Sequence, residues 1–207
     1  NNIIYYTDSA ATINIKLPER SEGYGLNYKW CKSIVENKDN DILVITVDNG
    51  IAQDKEVAYL LENNIDVLIT DHHQPNGHTP KDVFIIDAFH NNDDINNKGL
   101  CGAGVAFKVA MTLLDRYNLE VRDDLYYKYL IHVAIATITD SMPMTIENIK
   151  TISTTCARIN SRERFGSQHF FEIEERYKIN MITNNTIKKR LQASAPQVKD
   201  SEAFMAD

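Results

Sequence analysis

An Asp71-His72-His73 triplet follows directly on the apolar run Ile65-Asp66-Val67-Leu68-Ile69-Thr70, setting one carboxylate and two imidazoles at the mouth of a strand. A second acid, Asp48, closes the similar run Ile42-Leu43-Val44-Ile45-Thr46-Val47 and precedes Asn49-Gly50. Carboxylate and imidazole donors together suit manganese, magnesium or zinc, and a set without thiolates favours a hydrolytic centre with open positions over a closed structural site. Two strand ends that each deliver an acid into a loop can share one cation. Other readings stand beside these: Asp48 ahead of Asn-Gly is also a turn former, and Asp140 is also a helix-end residue. Gly102-Ala103-Gly104 either eases close packing or opens a helix whose backbone amides meet an anion.

The elements that must carry these groups follow from the hydrophobic pattern. From Asp41 to His73 the chain reads strand, loop, amphipathic helix (Lys55 to Glu62), strand, which is a β-α-β unit. Such units build parallel sheets whose ligands lie beyond the carboxyl ends of the strands, where Asp48 and Asp71 to His73 fall. Val83-Phe84-Ile85-Ile86 reads as a further strand and Ile13-Asn14-Ile15-Lys16-Leu17 as an earlier one stopped by Pro18; Ile3 to Thr7 is another, ending in Asp8. Val105 to Leu114 suits a buried helix behind its glycines. Tyr126 to Ile138 is long enough for a buried helix, although periodicity leaves a strand open. From about Ile146 the chain is more polar and helix-prone. The expected class is α/β, a largely parallel sheet flanked by helices, with a helical C-terminal extension.

With 207 residues, 43% apolar and 25% charged, the chain can bury a full core. No window approaches the roughly 20 apolar residues of a membrane span and no leader is visible, so a cytoplasmic protein without membrane attachment is expected. Cys31, Cys101 and Cys156 are odd in number and outside any Cys-x-x-Cys spacing, which argues against a disulfide framework or a thiolate zinc site. A formal charge of -7 does not suit a general nucleic-acid coat, but acids gathered around cations count as negative in that sum. The chain begins Asn1-Asn2 and reads as a piece of a longer protein.

Five segments, in order, resemble successive motifs of the RecJ-like branch of the DHH phosphoesterases: Leu17-Pro18-Glu19-Arg20-Ser21-Glu22-Gly23-Tyr24-Gly25-Leu26-Asn27, Thr46-Val47-Asp48-Asn49-Gly50-Ile51, Thr70-Asp71-His72-His73, Leu100-Cys101-Gly102-Ala103-Gly104-Val105-Ala106-Phe107-Lys108 and Thr139-Asp140-Ser141-Met142-Pro143-Met144. The resemblance implies a DHH phosphoesterase domain over residues 1–160, incomplete at its first motif, and a helical connector over 161–207. It implies that Asp48 bridges two Mn2+ or Mg2+ ions, that His72 and Asp140 are ligands of that site, that Asp71 orients a neighbouring histidine, and that His73 faces the scissile phosphate. Two such cations can generate hydroxide and neutralise charge on the attacked phosphate. Arg20, Gly102 and Gly104 become candidate phosphate contacts.

The family's Asp-x-Asp-x-Asp-Gly first motif is absent as a contiguous string. Asp8 and Ser9-Ala10-Ala11 resemble its edges, or else it lies upstream of Asn1. The resemblance implies a 5′-to-3′ exonuclease on single-stranded DNA, working with repair or replication proteins. The rival readings are a phosphoesterase of short oligonucleotides or small phosphorylated substrates, and a degenerate nuclease retained as a replication-associated binding module.

Overall fold

The strand sequences Leu43–Val47 (β1), Asp66–Thr70 (β2) and Phe84–Ile86 (β3) form a parallel sheet in the order β1-β2-β3. The computed structural model describes residues 12–17, 23, 25–38, 41–92 and 95–160. The expected strand at Ile3 to Thr7, Asp8, Arg20 and the connector at 161–207 lie outside these. The helices, in chain order, are α1 (Tyr28–Glu36), α2 (Asp54–Glu62), α3 (Ile95–Lys98), α4 (Gly102–Arg116), α5 (Asp123–Thr139) and α6 (Ile146–Asn160).

The chain divides into two compact units, one up to Asn92 together with Lys108–Glu120, the other comprising Asp93–Phe107 and the residues from Val121 onward. In the first unit, β-branched residues on β1 and β2 supply one covered face. Val44, Val67 and Ile69 pack with Cys31 of α1 and with Val57, Leu60 and Ile65 of α2 and its exit. Alternation along the strand puts the opposite side chains on the other face, and there Leu43, Ile45 and Val47 are exposed. Helix α1, which the sequence pattern did not announce, starts at Asn27, whose side chain accepts from the Trp30 N–H at 2.8 Å; this is a standard amide cap. Helix α2 begins with Asp54 and Glu56 in its first turn, favourable against the positive helix end.

The register pairs Val44 with Val67, Thr46 with Ile69 and Thr70 with Ile86, so the last residues of all three strands stop at one edge. The strand expected at Ile13 to Leu17 is not formed: residues 12–17 belong to no element, and Ile13, Ile15 and Leu17 are exposed. Alternating apolar residues make a strand only where a ladder and a packing surface receive them.

In the second unit, α5 is a helix through its whole apolar stretch, closing the strand alternative. Ala134 of α5, Met144, and Ile152 and Cys156 of α6 form its core, with Ile138 and Ile149 against it. Asn148, fully buried, donates to the carbonyls of Gly99 at 2.7 Å and Pro143 at 2.8 Å, tying the α3–α4 connection to the start of α6.

Candidate metal centre

The site begins with the way β1 ends. Asp48 keeps the ladder for one more rung, its N–H donating to Thr70 O at 3.0 Å, and there the backbone turns left-handed, with φ 66°. Asp is among the few residues that enter this region at modest cost. Gly50 follows with φ 115°, and a Cβ on it would lie 2.7 Å from Thr46 Oγ1 and 3.0 Å from Ile69 Cγ2, so the Asn-Gly spelling is imposed by the sheet beneath it. This tight turn aims the Ile51 N–H at the next strand, where it donates to Asp71 Oδ2 at 3.0 Å.

Asp71 is buried to 1% exposure and fully engaged. Its Oδ1 accepts from the His72 N–H at 2.8 Å, the His73 N–H at 3.3 Å and His73 Nδ1 at 2.7 Å. The ring it holds is therefore that of His73. With Nδ1 donating to a carboxylate, the lone pair of neutral His73 is on Nε2, at the outer side of an exposed ring.

His72, nearly buried, brings Nε2 to 2.9 Å from Asp48 Oδ1. When Nε2 carries no proton, two lone-pair atoms this close repel unless a positive charge lies between them. Ligand atoms on adjacent vertices of an octahedral cation at about 2.1 Å stand about 3.0 Å apart, the same spacing. Asp48, His72 and His73 each offer one ligand atom, and these atoms lie within 4.8 Å of one another. The rings of His72 and His73 are 4.4 Å apart, centroid to centroid. The donor set, oxygen and imidazole nitrogen without sulfur, is that of Mn2+, Mg2+ or Zn2+ hydrolytic sites, so the residues present fit a divalent cation.

Asp140 belongs to the second unit. It is the exposed C-cap residue of α5, its N–H donating to Ala136 O at 2.9 Å. Ser141 after it is left-handed at φ 59°. Gly102 and Gly104 open α4 and are buried. The Gly104 N–H donates to Cys101 Sγ at 3.4 Å, so that amide is already engaged by the thiol capping the helix. A Cβ on Gly104 would make ordinary contacts with Leu100 and Cys101 at 3.5 to 3.6 Å; packing alone does not demand glycine there. Arg20 lies outside the described residues, but Gly25 in the same motif is left-handed (φ 81°), with a Cβ position 2.8 Å from Gln53 Nε2, which sets Gly25 itself against the loop leaving β1.

One residue escaped the sequence reading. Asp87 follows β3 as Asp48 and Asp71 follow β1 and β2, and it is buried to 1% exposure. The rule that singled out the other two acids applies equally to Val83-Phe84-Ile85-Ile86-Asp87.

Residues 3–137 match the DHH family, N-terminal domain. The single-stranded-DNA-specific exonuclease RecJ of Bacillus subtilis (strain 168) is 34% identical over 165 residues, 79% of this chain and 20% of that protein. The enzyme of the same name from Thermus thermophilus is 34% identical over 157 residues, covering 75% of this chain and 22% of its own length. Among solved structures, exonuclease RecJ bound to manganese superposes with a TM-score of 0.58 at 32% identity, over 70% of this chain and 35% of that one. RecJ in complex with Mn2+ from Thermus thermophilus gives 0.53 at 29% identity, over 64% and 19%. The chain thus spans about a fifth of the length of these two curated relatives.

Proposed function

Since the chain belongs to the DHH family through its N-terminal domain, we propose that it is the catalytic DHH domain of a metal-dependent exonuclease hydrolysing single-stranded DNA from the 5′ end, in repair or recombination. The observation that carries this reading is the convergence of Asp48, His72 and His73 within 4.8 Å at the carboxyl edge of a parallel sheet. Family membership and similarity to manganese-bound RecJ structures support the choice of substrate and cofactor.

Asp48 and His72 would hold the Mn2+ or Mg2+. When bound, a pair of such cations supplies hydroxide at neutral pH and charge neutralisation at phosphorus and the leaving oxygen. The chain's own groups do the rest. Asp71 fixes the His73 ring and its tautomer through Nδ1, leaving Nε2 to face the scissile phosphate. The strained turn at Asp48 holds the carboxylate at the strand end in advance of binding, so little ordering remains for the cation to impose. Arg20 would contact the phosphate backbone.

The test uses the full-length protein, 5′- and 3′-labelled single strands of several lengths, and Mn2+. Nucleotide release from long 5′ ends is expected. Release confined to very short oligomers would move the substrate to the oligonucleotide class, and no cleavage with Mn2+ bound would leave a binding module. Asp48→Asn keeps the turn and removes the charge. It is expected to weaken Mn2+ binding at least about 100-fold, more than loss of an outer-shell partner does; wild-type affinity in that variant overturns the metal assignment.

A further inference from the structure

Asp87 is a buried acid that the reading above leaves unused. The register pairs Thr70 with Ile86, so Asp71 and Asp87 are the next residues on neighbouring strands, whose spacing in a sheet is about 4.8 Å. The ladder reaches this level, the Asp71 N–H donating to Ile86 O at 3.1 Å. Alternation along the strands places Asp71 and Asp87 on the same face as Ile69 and Ile85.

The two carboxylates have similar burial but unequal satisfaction. Asp71 uses both oxygens, Oδ1 on the His72 and His73 amides and the His73 ring, Oδ2 on the Ile51 N–H. Asp87 Oδ1 accepts from the N–H groups of Phe89 at 2.8 Å and His90 at 3.2 Å, which fixes the turn after β3. Its Oδ2, also buried, has no hydrogen-bond partner among the described residues. Leaving such an oxygen without a donor is costly, and native proteins keep one where an ion, a water or a ligand completes it. Thr46 Oγ1 and Gln53 Oε1, on β1 and in the loop leaving it, are likewise buried without a hydrogen-bond partner among the described residues. These three atoms belong to β1, the loop leaving it and the residue that follows β3.

Resting on the cation reading above, we propose that Asp87 is a positioning residue of that centre: its Oδ2 accepts from the hydration shell of the cation that Asp48 and His72 hold. Direct ligation is not what the geometry supports, because the converging group consists of atoms of Asp48, His72 and His73. Mg2+ and similar hard cations keep several waters, and a carboxylate that accepts from that shell raises affinity while acting through it.

Asp87→Asn preserves an Oδ1 acceptor for the Phe89 and His90 amides and removes the charge. Mn2+ affinity of the full-length protein is measured by calorimetric titration beside Asp48→Asn, with melting in chelator as the record of folding. Asp87→Asn is expected to weaken Mn2+ about tenfold or more. A purely structural role would lower the metal-free melting temperature and leave the dissociation constant unmoved; that result overturns the proposal. Should Asp87→Asn not fold, Asp87→Ser, which keeps a single acceptor for the turn, is read by the same criterion. If Asp48→Asn also binds Mn2+ as the parent does, the cation reading itself fails; if Asp87→Asn alone does, this inference fails by itself.

Discussion

The proposed cation site needs the backbone beneath its side chains to hold still, and at residue scale Gly50 bears most of that demand. Its φ of 115° and the 2.7 Å approach of a virtual Cβ to Thr46 Oγ1 leave no room for a methyl group. Gly50→Ala is expected to lower stability by about 2–3 kcal/mol through combined strain and overpacking, read as a shift of the urea midpoint. Because the Ile51 N–H holds Asp71 Oδ2, the same variant should loosen Asp71 and weaken Mn2+ binding. An unchanged Mn2+ affinity would show that the turn and the site are independent. Asp48 itself accepts a left-handed backbone, as a functional residue at a strand end often does.

At the scale of elements, the described helices α2, α4 and α5 end in the same way. In each, the residue after the C-cap is left-handed and the next residue's N–H reaches back to the helix: Ile65 to Leu60 O, Leu119 to Leu114 O and Met142 to Thr137 O. The left-handed positions are Asn64, Asn118 and Ser141, with φ of 56°, 52° and 59°. Asn is the natural non-glycine choice there; Ser carries the full Cβ penalty. Ser141→Gly is therefore expected to raise the thermal midpoint of the second unit, worth about 0.5–1 kcal/mol, and Asn64→Ala to lower stability by a comparable amount. Differential scanning calorimetry of both variants checks the pair of signs, and a destabilised Ser141→Gly would contradict the strain argument.

At the scale of the molecule, folding buries all three thiols. Burial, with the nearby Glu56 carboxylate adding to it, pushes the Cys31 thiol up to about 11 from an ordinary 9.0, and burial raises Cys156 as well. A folded value above the unfolded one means that the fold favours the protonated thiol. That contribution is complete below pH 9 and is lost as pH rises toward 11. The urea midpoint should fall between pH 9 and 11 more steeply in the parent than in Cys31→Ala. At about pH 8, native protein should react slowly with a thiol reagent, and all three cysteines should react in urea. Rapid native labelling of Cys31 would contradict its burial. Among the described residues no helix is long and apolar enough to cross a membrane.

The linear order of residues determined by itself what is local or periodic: the apolar runs of β1, β2 and β3, the helical stretch between β1 and β2, and acids and imidazoles placed where strands end. Parallel pairing followed from that pattern, and with it the side of the sheet on which Asp48 and His72 to His73 had to lie. Tertiary structure alone decided which histidine Asp71 holds, since two adjacent imidazoles are equivalent in sequence and differ only in the direction each ring takes. It also withheld strand structure from Ile13 to Leu17, whose alternation is right but whose ladder partner is a matter of long-range contact. Asp87 was written in the same code as Asp48 and Asp71, yet its half-satisfied carboxylate became visible only once burial and the neighbouring amides were counted, because desolvation is a property of the packed interior and not of the chain.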